Sequence, residues 1–300
     1  RRASSTEGRV ALTFARQGFP VAAMLQHDSL EQLGAALARE IAPRLAGSTR
    51  HALHVWVPDS TDANTLSASA RTLEERVSGL LSEMVPGSPL VDPRELGSEA
   101  APFVQVCLTA PTRALAGVLS SNRALSLAPG GRFRAHVGGD RPSRAARKLA
   151  EALAWFEVAP EPGERCVDLG AAPGGWTWFL LERRVRVIAV DPARLRPDLL
   201  RRKGLTYVGK SAFEFMPEEP VDWLFCDMAW RPLEVAQMLA RWARQRAATL
   251  LVANFKLPMK RKAEMVAELR KTLEGGGWRA IRTRQLYHDR DEVTVTARLL

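Results

Sequence analysis

The chain has 300 residues and a mass of 33.1 kDa; 46% of its residues are hydrophobic, 25% are charged, and the formal net charge is +10. This balance is typical of a globular protein of about two domains and excludes a disordered or collagen-like chain. Because no apolar run approaches the roughly 18 residues of a membrane helix, we expect neither a membrane span nor a secretory signal.

The positive charge is concentrated in the second part of the chain. Residues 1–100 carry 10 basic and 12 acidic side chains, so the whole excess lies in residues 101–300. A basic domain indicates a polyanionic partner, with nucleic acid favoured over a membrane surface. The alternative interpretation of the charge is a soluble protein from an arginine-rich genome.

Cysteine and histidine usage indicates the cellular context and argues against a metal. The three cysteines lie far apart and form no CxxC motif, which favours a reducing cytoplasm. His51 and His54 are three residues apart, but no third ligand accompanies them, so no metal site is expected. The chain begins Arg1-Arg2-Ala3 without Met, and we expect that preceding sequence has been trimmed.

Residues 1–135 are predicted to form a small α/β domain. Apolar periodicity predicts two helices and two strands, at Leu30–Leu45, Thr72–Met84, His54–Val57 and Phe103–Leu108. Ser29 is the expected cap of the first helix. No residue in this region stands out as a catalytic group.

A basic stretch separates this domain from the rest of the chain. It contains Arg132, Arg134, Arg141, Arg144, Arg147 and Lys148, opposed only by Asp140. Ser143 is predicted to cap the following helix, in which Leu149, Leu153 and Phe156 recur on one face. We therefore place the second domain at residues 136–300.

From Glu164 onward, predicted strands alternate with helices. The strands are Arg165–Leu169, Arg186–Val190, Leu205–Val208, Trp223–Asp227, Thr249–Phe255, Trp278–Tyr287 and Glu292–Leu299. Helices are predicted at Pro232–Arg246 and Met259–Glu274, the second ended by three glycines. This alternation predicts a mostly parallel sheet covered by helices on both faces. The last two strands have no helix between them and are expected to be antiparallel neighbours.

The most informative segment is a strand that enters a glycine-rich turn and then a helix. It reads Val167-Asp168-Leu169-Gly170-Ala171-Ala172-Pro173-Gly174-Gly175-Trp176. Ligands of such folds bind at the carboxyl ends of the strands, where glycines allow close approach of the backbone. The GxGxxG and GxxxxGK[ST] motifs are absent, and Pro173 removes an N–H that a phosphate cradle would use. The turn therefore suits an uncharged or cationic part of a ligand better than a pyrophosphate.

Other strands end in residues with functional chemistry. Asp191 follows the second strand of this domain, where an acid can hold ribose hydroxyls. Asp227 and Lys256 close the fourth and fifth strands and are expected to face one crevice. A charged group that closes a buried apolar strand is costly unless it is paired or functional. The two residues are therefore either catalytic or an ordinary ion pair.

Together these segments resemble the RrmJ/FtsJ-type ribose 2′-O-methyltransferases. The likeness is carried by AAPGGW after Val-Asp-Leu-Gly, by Cys-Asp-Met, and by Asn-Phe-Lys-Leu-Pro-Met-Lys. Arg-Pro-Ser-Arg before the first helix and the run from Gln285 to Val295 are similar to the RlmM branch, which methylates a cytidine ribose of bacterial 23S ribosomal RNA. The likeness covers roughly residues 130–300, and the preceding residues resemble only loosely the RNA-binding THUMP region of that branch.

The resemblance implies a fold and a cofactor. The fold is α/β, a Rossmann-like methyltransferase domain with a mostly parallel sheet and an antiparallel last strand, preceded by a smaller THUMP-like α/β domain. The implied contacts to S-adenosylmethionine (AdoMet) are Ser143, Asp168, Gly170, Ala172, Pro173, Gly174, Gly175, Trp176, Asp191, Ser211 and Asp227. Ser211 stands where the family has an acid near the adenine, a departure expected to weaken that contact, although a Ser hydroxyl still hydrogen-bonds.

The resemblance also implies a catalytic constellation. Its Lys-Asp-Lys-Glu set falls on Lys148, Asp227, Lys256 and Glu292, with His288 as an alternative to Glu292. Lys256 would take the proton of a ribose 2′-hydroxyl. A lysine has an ordinary pKa near 10.4, so burial and the neighbouring cation Lys148 would have to lower it, with Asp227 orienting both. The implied partner is large-subunit ribosomal RNA rather than a membrane, and a cytoplasmic monomer is slightly favoured.

Three alternatives remain open at this point. A base N-methyltransferase commonly carries Asn/Asp-Pro-Pro-Tyr/Phe after the fourth strand, whereas this chain has Asp227-Met228-Ala229-Trp230. A cytosine-C5 methyltransferase needs a nucleophilic Cys, and Cys226 lies inside an apolar strand. A non-catalytic RNA-binding protein would retain the fold, but binding alone does not require the four charged residues.

Overall fold

The computed structural model describes residues 13–96, 100–133 and 144–299, without the side chain of Arg144. The chain divides into two units. One consists of residues 16–134, and the other consists of residues 135–300 together with residues 1–15. Thr13 shows the basis of that joining: its carbonyl accepts the N–H of Gln285, and its hydroxyl lies 2.8 Å from that of Thr283. The sequence-based division at residue 135 assigns residues 1–15 to the first domain instead of the second.

The unit of residues 16–134 is a four-stranded sheet covered by helices. Its elements are β1 (Ala23–Gln26), α1 (Leu30–Ile41), β2 (Ala52–Trp56), α2 (Thr61–Asn64), α3 (Ser67–Met84), β3 (Pro102–Ala110) and β4 (Arg113–Ser120). The strand order is β1-β4-β3-β2, with only β2 and β3 parallel. Apolar side chains of α1 and α3 pack on one face with those of β2, β3 and β4. Ser29 caps α1 as predicted, since its hydroxyl accepts the N–H of Gln32.

Two of these strands, β1 and β4, are absent from the sequence-based prediction. β4 is made mainly of small residues, and its centre is Gly117. A Cβ at Gly117 would overlap the carbonyl oxygen of Pro20, so a bulkier strand former does not fit there. The strand therefore lacks the strong apolar alternation that pattern reading requires.

The second unit is built on a seven-stranded sheet. Its elements are α4 (Arg144–Phe156), β5 (Arg165–Leu169), α5 (Gly175–Leu181), β6 (Arg186–Val190), β7 (Leu205–Val208), β8 (Val221–Cys226), α6 (Pro232–Arg244), β9 (Ala248–Lys256), α7 (Lys262–Gly276), β10 (Trp278–Arg284) and β11 (Glu292–Leu299). The strand order is β10-β11-β9-β8-β5-β6-β7, and β11 is antiparallel to both its neighbours. The predicted mostly parallel sheet with an antiparallel last strand is confirmed.

Helices cover both faces of this sheet. α4 and α5 pack on one face and α6 and α7 on the other, each burying a hydrophobic cluster. Trp223, Trp242 and Trp278 are fully buried. Burial of one such large apolar side chain contributes on the order of 1.5–3 kcal/mol, so these clusters hold the strand ends in fixed positions.

Several predicted boundaries are wrong by a few residues; the helix expected over Thr72–Met84, for example, begins at Ser67. Two others differ for a local reason. The strand expected over Trp278–Tyr287 ends at Arg284, because the Leu286 N–H turns to the Asp289 carboxylate. The helix expected from Met259 begins at Lys262, because Arg261 has a φ of 58° and breaks the helical path. No helix within the described ranges is long and apolar enough to span a membrane.

Candidate active site

The carboxyl edge of the parallel strands collects the charged residues. The glycine-rich turn follows β5, Asp191 follows β6, Asp227 follows β8, and Lys256 ends β9. The chain order reverses at β5, which lies between β6 and β8. Parallel α/β sheets bind ligands in the crevice at such a reversal. The charged strand ends therefore gather at the edge of the sheet where the sequence predicts a ligand site.

Lys148 occupies the centre of a charged cluster. Its Nζ lies 3.4 Å from Asp227 Oδ1 and 2.5 Å from Glu292 Oε2. Lys148 itself is buried, whereas the two carboxylates are about a quarter exposed, at 25% and 30%. Three residues from α4, β8 and β11, far apart in the sequence, therefore meet at one point.

Charge balance keeps Lys148 protonated. Burial acts to lower its pKa, but the carboxylates of Asp227 and Glu292 outweigh burial and raise the pKa above the ordinary value. The cluster thus presents a permanent ammonium at the edge of the sheet.

A polar network behind the cluster positions Asp227. Asn254 Nδ2 donates to Asp227 Oδ1 at 3.0 Å, and the Thr294 hydroxyl donates to Asn254 Oδ1 at 2.6 Å. The same hydroxyl lies 3.2 Å from Asp289 Oδ2. Burial raises the pKa of Asp289 to about 7. Sequence reasoning did not identify Asn254 and Thr294. The signal for Asn254 is a polar residue inside an apolar run, whereas Thr294 lies in a strand that alternates polar and apolar residues and carries no such signal.

Lys256 stands directly opposite Glu292. The two residues are register partners in the antiparallel pair β9–β11. Lys256 is exposed, so the burial expected for this lysine is wrong. Within the described part of the chain, no carboxylate lies within 4.0 Å of Lys256 Nζ. Of the two lysines, Asp227 therefore forms an ion pair with Lys148 only, within the residues that the structure describes, and it does not hold both lysines as expected. The Lys256 amine is left available to a substrate.

His288 contacts Glu151 and is not part of the Lys148 cluster. Its Nδ1 is 2.7 Å from Glu151 Oε2, and the backbone N–H groups of Tyr287 and His288 donate to the same carboxylate at 2.8 and 3.2 Å. Glu151 is buried on α4. This arrangement fastens the turn between β10 and β11 to α4.

The glycine-rich turn is held by Asp191. Its carboxylate accepts the N–H of Ala172 at 3.0 Å and the N–H of Ala193 at 2.8 Å. Gly174 has a φ of 112°, and a Cβ there would overlap Leu199. Gly170 and Gly175 flank the turn, and Pro173 lies within it. These contacts fix an open cradle of backbone atoms at the start of α5.

Asp168 is a buried acid beside this turn. Its Oδ2 accepts the Thr177 hydroxyl at 2.6 Å, while its buried Oδ1 has no hydrogen-bond partner among residues 13–96, 100–133 and 144–299. Burial raises its pKa to about 7 from an ordinary 3.8. Since proteins rarely leave a buried carboxylate oxygen unpaired, this atom is an acceptor available to a donor group of a ligand.

The raised pKa of Asp168 predicts a pH-dependent stability. The folded state binds this proton more tightly than the unfolded state, so the contribution to the free energy of unfolding is complete below pH 4 and is lost as the pH rises to about 7. Asp168→Asn retains an acceptor for Thr177 and removes this pH dependence. Urea unfolding at pH 4 to 8 of the wild type, Asp168→Asn and the exposed control Asp198→Asn measures it. Parallel profiles for the wild type and Asp168→Asn would contradict the prediction.

Three of the predicted cofactor contacts, Ser143, Trp176 and Ser211, come from outside the glycine-rich turn. Ser143 lies outside the described residues. The Trp176 side chain is buried and packs edge-on against Phe225 with a centroid distance of 6.2 Å, so only its backbone can reach a ligand. The Ser211 hydroxyl accepts the N–H of Phe213 at 3.3 Å in the loop after β7.

Cys226 does not have the properties of a nucleophile. It is fully buried, and burial raises the pKa of its thiol. Within the described ranges, no group of three or more His, Cys, Asp and Glu side chains has the geometry of a metal site. The site therefore offers lysine and carboxylate chemistry.

Comparison with known proteins agrees with this arrangement. The FtsJ-like methyltransferase family matches residues 141–268. The ribosomal RNA large subunit methyltransferase M of Alkalilimnicola ehrlichii is 35% identical, and the match covers 96% of this chain and 79% of the relative. The proteins of the same name from Laribacter hongkongensis and Methylococcus capsulatus are each 37% identical, covering 80% and 83% of this chain and 69% and 71% of their own lengths. The chain therefore belongs to the ribosomal RNA large subunit methyltransferase M family of FtsJ-like methyltransferases.

Proposed function

We propose that this protein transfers a methyl group from AdoMet to a ribose 2′-hydroxyl of large-subunit ribosomal RNA, with a cytidine as the target nucleotide. The observation that carries the proposal is the cluster of Lys148, Asp227 and Glu292, with Lys256 opposite Glu292. Family membership supports the reaction, and the cluster supplies the groups that it needs.

The cradle after β5 fits AdoMet. The cofactor has a ribose diol and a cationic amino-acid part. Asp191 follows β6, where an acid can bind the two ribose hydroxyls. The unpaired Asp168 Oδ1 suits a cationic donor, and a cation favours the ionised carboxylate. When bound, AdoMet supplies a methyl group activated by a sulfonium.

The residues opposite the cradle handle the proton of the substrate. A ribose 2′-hydroxyl is a poor nucleophile until its proton is removed, and the neutral amine of Lys256 accepts that proton. The Lys148 ammonium stabilises the oxyanion that develops on the ribose. Asp227 and Glu292 hold this ammonium in position. The geometry supports Glu292 over His288 as the fourth member, since only Glu292 contacts Lys148.

The RNA path is proposed to include both units. Residues 16–134 form the THUMP-like unit of the proposal and would bind RNA through shape and local patches, because the first hundred residues carry no excess positive charge. The basic stretch at 132–148 supplies phosphate contacts. The three cysteines are buried free thiols, which supports a cytoplasmic location.

Mapping of 2′-O-methyl groups tests the function. Ribosomal RNA from cells with and without the protein is compared position by position, and purified protein with labelled AdoMet is then assayed on RNA from the deficient cells. We expect one ribose to lose its methyl group in the deficient cells and to regain it in vitro. Unchanged ribose methylation, or a methyl group recovered on a base, would contradict the proposal.

Substitution of Gly174 is expected to abolish AdoMet binding for a structural reason. Any side chain at this φ of 112° is strained, and its Cβ overlaps the end of the Leu199 side chain, so either Leu199 or the turn must shift. Gly174→Val is therefore expected to remove measurable binding in calorimetry. Gly163→Val, also at positive φ but with open space around it, is the control for strain alone. AdoMet binding by Gly174→Val as tight as wild type would show that the cofactor lies elsewhere.

RNA affinity is expected to fall steeply with salt through the basic stretch. Each phosphate contact adds roughly 0.7–0.9 to the log–log slope of affinity against salt. Replacing Arg141, Arg144 and Arg147 by Ala is expected to flatten the slope by about 2. The control replaces Arg184, Arg186 and Arg279, which are exposed and close to the opposite ends of the strands. Equal slopes for the two triple variants would place the RNA elsewhere.

A further inference from the structure

An open groove begins at Lys256, and its other lining residues have no role in the proposed methyl transfer. Its volume is about 570 Å³, and it is lined by Ala229, Trp230, Arg231, Pro232, Lys256, Leu257, Pro258 and Met265. Six of these residues have apolar side chains, and the two charged ones are Arg231 and Lys256. The groove therefore joins the reactive amine directly to an apolar surface.

Trp230 is the dominant side chain of this groove. It is 52% exposed, although a large aromatic ring is usually buried. Its Nε1–H donates to Glu234 Oε2 at 2.7 Å, and its ring packs edge-on against Phe213 with a centroid distance of 6.0 Å. The ring is thus held in place while about half of its surface stays open.

The chemistry of the groove favours a nucleobase. A base is flat and stacks on aromatic and apolar side chains whatever its sequence identity. Arg231 is exposed beside Trp230 and pairs with Glu234 at 3.0 Å, and Arg261 pairs with Glu264 at 3.5 Å. Lys260 is exposed beyond Pro258. These cations lie near the groove and can contact the phosphates of a bound nucleotide. A ribose whose 2′-hydroxyl reaches Lys256 carries its base within one sugar's length of this surface.

We propose that Trp230 is the stacking platform for the base of the nucleotide being methylated. This inference rests on the proposed function, since it places the base relative to the hydroxyl at Lys256. Stacking orients the ribose and adds affinity for an unpaired nucleotide. Glu234 and Phe213 act as positioning residues that keep the ring in place.

The test compares Trp230→Ala, which removes the ring, with Trp230→Phe, which keeps an aromatic. Trp155→Ala, a half-buried tryptophan on α4 under Arg282, is the control. The substrate is large-subunit ribosomal RNA from cells that lack the protein. We expect kcat/KM for RNA to fall about 5- to 100-fold in Trp230→Ala and to recover to within about 3-fold of wild type in Trp230→Phe. AdoMet affinity by calorimetry should stay unchanged in all three.

A binding signal checks the contact without activity. Saturating RNA should quench the tryptophan fluorescence of the wild type more than that of Trp230→Phe, which retains the seven other tryptophans of the chain. Methyl transfer by the wild type with equal kcat/KM for Trp230→Ala and Trp155→Ala would overturn the inference and leave the function intact. Equal impairment of Trp230→Phe and Trp230→Ala, or equal quenching, would also overturn stacking. No methyl transfer to RNA by the wild type would instead overturn the proposed function.

Discussion

Lys256→Ala is expected to lower the single-turnover rate of methyl transfer by about 10²- to 10⁴-fold, the usual cost of losing a general base. Lys256 ends β9 opposite Glu292, and within the described residues its amine is not held in an ion pair. AdoMet affinity should change little, because the cradle is formed after β5 and β6. Single-turnover kinetics and calorimetry separate the two effects.

Lys256→Arg distinguishes proton transfer from simple positive charge. A guanidinium stays protonated at any usable pH and cannot accept the proton of the ribose hydroxyl, so Arg should not restore the rate. Lys271→Ala, an exposed lysine on α7, is the matched control and should lose little single-turnover rate. Near wild-type activity of Lys256→Arg would rule out the neutral-amine mechanism.

Lys148→Met is expected to lower the rate by about 10²- to 10³-fold, comparable to the loss of one preorganised electrostatic group. Met has a similar length but no charge. It leaves the carboxylates of Asp227 and Glu292 close together without their shared cation. Their mutual repulsion should also reduce the free energy of unfolding, measured by urea at neutral pH.

Glu292→Gln and His288→Ala complete this test. Glu292→Gln removes one of the two charges that hold Lys148 and should reduce the rate. His288→Ala removes the imidazole partner of the buried Glu151. It should therefore reduce the free energy of unfolding and leave the rate of methyl transfer almost unchanged. Rates are measured in single turnover and stability by urea unfolding. A larger loss of rate in His288→Ala than in Glu292→Gln would assign the catalytic role to His288.

Most strands of the second unit follow directly from the sequence. Arg165–Leu169, Arg186–Val190, Leu205–Val208 and Glu292–Leu299 have the predicted bounds. Arg165–Leu169 and Arg186–Val190 contain mostly apolar residues, and Glu292–Leu299 alternates polar with apolar residues. Both patterns are local features that a sequence displays. The positions of Asp191, Asp227 and Lys256 at strand ends are equally local, so these three site residues are visible without a structure.

The contacts among these residues are decided by tertiary structure alone. Lys148 meets Asp227 across 79 residues and Glu292 across 144, and from the sequence only the family resemblance suggested that meeting. Which carboxylate pairs with Lys148, how Asn254 and Thr294 support Asp227, and where Trp230 is left exposed all depend on which helix packs on which face. The sequence by itself determined the α/β order, the turn after β5 and the charged strand ends, because these depend on neighbouring residues. The charge network and the groove depend on long-range packing, which no local pattern encodes.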